Sequence, residues 1–359
     1  LDRGLKVDTC VSVFPSTTGP AYAPFITGLL PEKSNLPGIR WYDRITGRST
    51  VYAGREFGRI NDDLTKQFRT MYELVPGDSL SVFGYLDRGS ARSVMPVASL
   101  AMNKLRGRYL AMDDSLYAEF EKYALKPGGL KKFMFLSFHA PDSVGHASGV
   151  ADPDYERSLI AIDENIGRIA AKLVELGAYD STYWAVSADH GQSDAGEHMS
   201  LAKYLSEKHG LTVRDSITRE TFLHNMRQGT NRKSSDIHVE VSGNGCVQFY
   251  LAPAGADPAP RVNSKGVRAF LSRSAAQVDL ERALCQAPCV YLVMSRVEPG
   301  LYRIATANGL AELTRRDGRY GYSVVSGTDP LGYAQSTHAA ALVGGQPVSG
   351  DHWFEATAD

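Results

Sequence analysis

Thr18 stands in the segment Phe14-Pro-Ser-Thr-Thr18-Gly-Pro, where a strand-like run gives way to a turn and then to small and apolar residues. A threonine hydroxyl there can serve as a nucleophile if something lowers its pKa. A divalent cation does so by coordination. A helix N-terminus adds partial positive charge and free N–H groups that suit an anionic oxygen. Asp142 and His146 are four residues apart, a spacing at which a carboxylate and an imidazole share one metal, on a helical turn or in a tight loop. Gly145 between them favours the tight turn. Asp189 and His190 are adjacent and followed by Gly191. On a regular strand such neighbours point to opposite faces, but at a strand end the backbone turns and both can reach an ion. Each also has an ordinary reading alone: a helix cap for Thr17 and Thr18, a common spacing for Asp142 and His146, and a solvated turn for Asp189 and His190.

The elements around these residues give them a common address. Residues from Leu5 to Phe14 alternate in a β-like way, with Val7, Thr9, Val11 and Val13 on one face. A helix is expected from Ala21 to Leu30. The apolar run from Lys131 to Phe138 reads as a buried strand. Asp152 is a good N-cap and Pro153 suits the first helical position. The helix they start carries Tyr155, Leu159, Ile162, Ile166, Ile169 and Leu173 at steps of three and four, and Gly177 closes it. Thr182 to Ala188 reads as a second buried strand. Strand, helix, strand is a βαβ unit, which implies a parallel sheet. In open α/β sheets ligands bind beyond the carboxyl ends of the strands. Thr18, Asp142, His146, Asp189 and His190 all follow predicted strands, so three strand ends deliver them to one rim.

Beyond Ile217 the pattern changes. Ile237 to Val241 and Cys246 to Leu251 read as a hairpin across Ser242-Gly-Asn-Gly245. A helix over Val278 to Leu284 and strands over Val290 to Met294, Leu301 to Ala305 and Tyr320 to Val325 follow. The expected fold is therefore α/β, a mostly parallel central sheet flanked by helices, with a smaller α+β section toward the C-terminus. Residues 1–216 make up the core region and residues 217–359 the section packed on it.

Read together, the motifs resemble the alkaline phosphatase superfamily, and within it the type I phosphodiesterase/nucleotide pyrophosphatase group. The likeness rests on Phe14 to Tyr22, continuing through Phe25-Ile-Thr27-Gly28 and Pro31-Glu32 to Pro37-Gly38-Ile39. It rests also on Asp142-x-x-x-His146 and Asp189-His190-Gly191, in that order, and covers roughly Leu5 to Ser193. The resemblance implies an alkaline phosphatase-like fold and hydrolysis of phosphodiester or nucleotide pyrophosphate bonds. It makes Thr18 the residue that becomes phosphorylated or nucleotidylated. It implies two divalent ions, zinc in the family, with Asp142 and His146 on one and Asp189, His190 and Thr18 on the other. Such a pair, about 4 Å across, activates the attacking oxygen and stabilises the leaving one. Phosphomonoesterases and phosphomutases share the superfamily, and a non-catalytic phosphate-ligand binding domain is the reading from another class. Sulfatases use a modified Cys or Ser, a role Thr18 cannot fill.

Two ligands of the family pattern lack a counterpart. The family places an Asp at the end of a strand before the nucleophile, and Asp8 lies in the wrong strand for it. It also places a late His, usually beside Gly. His338 and His352 are the late histidines, with Asp351 beside the second. The remaining ligands are expected outside the chain, which reads as a fragment cut at both ends. Nucleotide-cleaving members carry an asparagine after the nucleophile helix. Here the stretch is Arg40-Trp41-Tyr42-Asp43, where Arg40 is the candidate substrate-binding residue, its planar fork matching a phosphate. Trp41 or Tyr42 could stack on a base, and a packed surface turn is the plain alternative.

Composition narrows the partners. The chain has 359 residues, 43% hydrophobic and 22% charged, with a formal net charge of -1. Such a balance offers no basic patch for nucleic acid, and a small-molecule phosphoester or nucleotide is the expected substrate. The longest apolar run, Phe133 to Phe138, is too short to span a bilayer, and no secretory signal pattern opens the chain. Cys285 and Cys289 are spaced for a metal or a disulfide, but no second Cys/His pair accompanies them, and small core residues is the better reading. Four cysteines do not specify a compartment.

Overall fold

The computed structural model describes residues 4–7, 10–46, 48–52, 58–196, 198–215, 235–242, 245–251, 262–273, 275–316, 319–332, 342–343 and 346–347. Asp8, His338, His352 and the expected boundary at residues 216–217 lie outside them. The chain divides into two compact units. One comprises Ser12–Ile39 and Tyr52–Gly196, the other Leu1–Val11, Arg40–Val51 and Glu197–Asp359.

In the first unit the chain enters through a 3-10 turn, Pro20–Tyr22, and a short helix α1, Ala23–Thr27. The single helix expected over Ala21–Leu30 is thus cut short. Gly28 turns left-handed at φ 68° and its N–H closes on the Pro24 carbonyl, which is how a helix stops. Three parallel strands follow: β1 Ser79–Val82, β2 Arg92–Val94 and β3 Phe133–Leu136, with β1 in the middle. Ser79 pairs with Phe133 and Val82 with Leu136. Between β2 and β3 run α2, Val97–Leu105, and α3, Tyr109–Tyr123. After β3 come α4, Ala140–Ser148, and α5, Pro153–Glu175. This is the helix-flanked parallel sheet expected from the sequence.

The core shows why these segments fold as they do. Leu80 and Val82 face one side of the sheet and meet Leu100 of α2, Met112, Leu116, Tyr117 and Phe120 of α3, and Ile169 and Leu173 of α5. Helix α5 starts as its sequence dictates, with the Asp152 side chain accepting from the Asp154 N–H at 2.8 Å and Pro153 behind it. Gly177 takes φ 67° just past its end. Its apolar stripe is buried only in part. Ile169 and Leu173 enter the core, whereas Leu159 is 48% exposed, and Ser158 and Asn165 are buried as well. Helix α5 packs beside α4, Ala-Pro-Asp-Ser-Val-Gly-His-Ala-Ser, and beside α3.

Two expected strands are not formed. Residues 182–188 have no regular secondary structure, and Tyr183 and Val186 are exposed. The described residues of Leu5–Phe14 are likewise without a strand, with Val7 and Val11 exposed. The sequence carries an apolar run in the first case and an alternation in the second. Either pattern specifies a strand only when a neighbour offers a ladder of backbone partners, and among the described residues neither segment has one. The parallel crossover that does form joins β1 and β2 to β3 through α2 and α3.

The second unit contains the hairpin Arg40–Asp43 with Arg48–Val51. Helix α6, Leu201–His209, capped by Ser200, leads into β4, Val213–Asp215. Strand β4 lies parallel to β5, Ile237–Ser242, which pairs antiparallel with β6, Cys246–Leu251, as the hairpin reading required. Ile237 and Val239 of β5 are buried with Leu205, Leu211 and Phe270. His238, on the opposite face, stacks on Tyr42 at 4.7 Å. Helix α7, Leu280–Cys285, precedes an antiparallel sheet of β7 Val293–Glu298, β8 Leu301–Ala305, β9 Gly309–Arg316 and β10 Arg319–Gly327. Cys285 and Cys289 are free thiols. Among the described residues no helix is long and apolar enough to cross a membrane.

Leu116 is fully buried between the sheet and α5. Leu116→Ala should destabilise the protein by about 2–5 kcal/mol, read from its urea unfolding midpoint. A midpoint at the wild-type value would show that this cluster is not the core.

Candidate active site

Small residues and prolines build the turn that carries Thr18. The Thr17 N–H donates to the Pro15 carbonyl at 2.9 Å, and the Ala21 N–H to the Thr17 carbonyl at 3.1 Å. Gly19 adopts φ 109°, a conformation a β-carbon disfavours, and packs beside Ile60, Ile39 and Tyr52. Thr18 sits half-buried just before this kink.

The Thr18 hydroxyl meets His190. Its Oγ1 lies 3.3 Å from His190 Nε2, while His190 Nδ1 lies 3.0 Å from the Gly191 carbonyl oxygen. A carbonyl only accepts, so Nδ1 donates to it, and the other ring nitrogen faces the Thr18 hydroxyl. Asp189 Oδ2 lies 3.5 Å from the same Nε2, and the Asp189 carbonyl accepts from the Ser12 hydroxyl.

Asp142 and His146 lie on α4, so of the two geometries open from the sequence the helical one is realised. Asp142 Oδ1 and His146 Nε2 are 3.3 Å apart. Gly145 is inside this helix, not at a tight turn. A β-carbon there would lie 2.0 Å from Gln192 Oε1, so the bare position makes room for Gln192. Two residues on, Asp194 accepts from the Val150 N–H at 2.7 Å. The stretch after His190 is thereby laid against the end of α4.

Burial raises the Asp189 pKa, His190 opposes that rise, and the charge of Asp142 adds to it. Both carboxylates also help hold the phenols of Tyr22 and Tyr85 in the protonated form, burial being the larger cause. Tyr22 and Tyr85 are in contact, with ring centroids 5.1 Å apart. The two Asp–His pairs thus lie within reach of each other's charge around one aromatic patch. Arg40 begins the strand Arg40–Asp43 in the other compact unit, opposite Val51.

The spacing of the donors bears on a metal. Two ligands about 2.0–2.1 Å from one tetrahedral ion are about 3.3–3.4 Å apart. Asp142 with His146, His190 with Thr18, and His190 with Asp189 all stand near that separation. Each pair fits one edge of a coordination shell. Among the described residues no three His, Cys, Asp or Glu side chains gather as a metal cluster.

A family profile decides the affiliation. The type I phosphodiesterase / nucleotide pyrophosphatase profile matches residues 1–248. The chain belongs to this family. Bis(5'-adenosyl)-triphosphatase enpp4 of Mus musculus is 23% identical over 205 residues, covering 55% of this chain and 42% of that protein. Its Bos taurus counterpart is 25% identical over 207 residues, covering 55% and 43%. The chain spans less than half the length of these curated relatives. Among solved structures, murine ectonucleotide pyrophosphatase / phosphodiesterase 5 aligns at 14% identity with a TM-score of 0.37, over 48% of this chain and 45% of that one. All five motif residues of this family member, Thr18, Asp142, His146, Asp189 and His190, fall inside the matched span.

Several residues at the site escaped the sequence reading. Tyr22 donates to or accepts from Ser137 at 2.6 Å, and Ser137 Oγ lies 3.2 Å from His139 Nε2. Asp113 accepts from the backbone of His139 and Ala140. Asp113 does leave a trace in the sequence, since it lies on the buried stripe of α3 with Met112, Leu116, Tyr117 and Phe120. A carboxylate on an apolar stripe is a buried acid in search of donors.

Burial lowers His139 to about 3 and raises Asp113 to about 7. The signs oppose. Unfolded His139 takes a proton near 6.5 but the folded form does not until about 3, so its contribution is present above 6.5 and lost as pH falls, by about 1.4 kcal/mol per pH unit at most. Asp113 contributes below 3.8 and loses that contribution as pH rises through about 7. On acidification from about pH 7.5 to about 4.5, His139→Gln should lose less stability than the wild type in urea unfolding. Equal losses would show that His139 is not held neutral.

Proposed function

We propose that the protein hydrolyses phosphodiester or nucleotide pyrophosphate bonds, with Thr18 as nucleophile. The observation that carries the reading is the Thr18–His190 contact: a hydroxyl 3.3 Å from one nitrogen of an imidazole whose other nitrogen donates to the Gly191 carbonyl. Membership of the family supports the class of bond. The relatives named as bis(5'-adenosyl)-triphosphatases support a nucleotide substrate.

In the first step Thr18 Oγ1 forms a bond to phosphorus, the opposite P–O bond breaks, and its electron pair leaves on the departing alcohol or nucleotide. The result is a phosphorylated or nucleotidylated threonine. In the second step water attacks the same phosphorus and Thr18 leaves as its hydroxyl. His190 orients the Thr18 oxygen, and over the first step the hydroxyl proton ends on the departing oxygen. The hydroxyls of Tyr22 and Tyr85 are kept protonated, chiefly by burial and also by the charges of Asp142 and Asp189. Asp142 with His146 would hold one divalent ion and Asp189, His190 and Thr18 a second, with zinc the ion the family resemblance implies. Such ions, when bound, lower the pKa of a coordinated hydroxyl and offset charge on the leaving oxygen. They would also offset the mutual repulsion of Asp142 and Asp189.

In the full-length protein, bis(p-nitrophenyl) phosphate should turn over faster than p-nitrophenyl phosphate. Activity should vanish in chelator and return with Zn²⁺. Thr18→Ala should lower kcat by roughly a thousandfold or more, and Asp189→Ala should also lower bound metal, measured by mass spectrometry. A Thr18→Ala enzyme with the wild-type rate would end the nucleophile assignment.

A further inference from the structure

Helix α4, which carries Asp142 and His146, begins against a carboxylate from another helix. Asp113 Oδ1 accepts from the His139 N–H at 2.7 Å, and both Asp113 oxygens lie 3.1 Å from the Ala140 N–H. The first N–H groups of a helix have no partner within it, and the N-cap side chain ordinarily supplies one. Here the N-cap is His139, whose side chain makes no such bond. Asp113, 26 residues earlier and 1% exposed, takes its place.

The same junction reaches the nucleophile turn. From His139 the buried contacts run through Ser137 to Tyr22, and Tyr22 closes the Pro20–Tyr22 turn that follows Thr18 and Gly19. His139 is wedged edge-on against Phe83, with ring centroids 4.2 Å apart. Asp113 itself is anchored, because α3 is held in the core by Leu116, Tyr117 and Phe120. Asp142 lies in the first turn of the helix whose start Asp113 receives.

An N-terminus that needs only a cap is served by Ser, Thr, Asn or Asp at the N-cap, in water, at little cost. A buried acid costs more. What it adds is a fixed reference, since a short side chain on a packed helix allows the amides little play. We infer that Asp113 is a positioning residue, which through the His139 and Ala140 amides fixes the origin of α4 and with it the place of Asp142 and His146 relative to Thr18. The inference rests on the function proposed above, which makes those three residues one site.

The test compares Asp113→Ala with Asp113→Asn in the full-length protein. Asn keeps an acceptor oxygen of the same reach, and Ala keeps none. Asp113→Ala should lower kcat on bis(p-nitrophenyl) phosphate by about 10- to 100-fold with KM within about twofold, and weaken Zn²⁺ binding in a chelator competition by about tenfold, as supporting contacts around metal ligands do. Asp113→Asn should stay within about threefold of wild type on both measures. Amide hydrogen exchange should accelerate at His139 and Ala140 in the Ala variant and not in the Asn variant. Wild-type kcat and Zn²⁺ affinity in Asp113→Ala, or equal losses in both variants, would overturn the inference. Should the wild type itself neither cleave the diester nor bind Zn²⁺, the proposed function fails, and the exchange comparison still decides the role of Asp113: unchanged exchange in the Ala variant overturns it. If Asp113→Ala does not fold, exchange in Asp113→Asn decides alone, with protected amides supporting the inference and accelerated ones overturning it.

Discussion

Two carboxylates held within reach of each other's charge are the constraint around which this unit is arranged. Asp142 and Asp189 repel, and burial adds to the cost of keeping Asp189 ionised. Each is given an imidazole at 3.3–3.5 Å, His146 for one and His190 for the other. A cation between the donors would relieve much of that repulsion. Elements far apart in sequence are therefore made to converge: the turn at Thr18, the first turn of α4 and the stretch from Asp189 to Asp194. The contacts that hold them together are short and directional. Gln192 sits on Gly145, Asp194 takes the Val150 N–H, Ser12 donates to the Asp189 carbonyl, and Tyr22 reaches Ser137.

The sequence was legible where local chemistry decides. Asp152 and Pro153 announce the start of α5, and the structure begins the helix there with the cap bond formed. The run Phe133–Leu136 has no polar face, and it is a parallel strand against β1. The Asn-Gly step between Ile237–Ser242 and Cys246–Leu251 marks a hairpin, and the two strands pair in register. Legibility fails where a partner decides. Residues 182–188 carry an apolar run like that of many buried strands, yet a strand is a relation between two segments and one alone is not enough. Helix α5 makes the same point on one element: Leu159 follows the period and is exposed, while Ser158 and Asn165 are buried among the helices packed beside it.

The site divides in the same way. Residue type and order single out Thr18, Asp142, His146, Asp189 and His190 as candidates, and the structure sets Thr18 beside His190, Asp142 beside His146, and Asp189 beside His190. How the pairs are held could not be read from spacing. Gly145 looked like a turn residue because glycine often is. It is instead a helical position left bare for a side chain 47 residues downstream, since residue 192 follows residue 145 by that interval. Asp113 is silent in any motif, because its partners are backbone amides, and every residue but proline has one.

Magnitudes explain why such a buried acid is tolerated. Moving a carboxyl from 3.8 to about 7 favours its protonated form by on the order of 4 kcal/mol. The amides of His139 and Ala140 act against burial and lose. Near neutral pH Asp113 is therefore divided between its charged and neutral forms, and either can keep the amides satisfied. The ionised group accepts on both oxygens, and the protonated one still accepts on its carbonyl oxygen. What α4 requires from Asp113 is then an acceptor at a fixed point and not a charge. That separates it from Asp142 and Asp189, whose use to a cation depends on their being ionised.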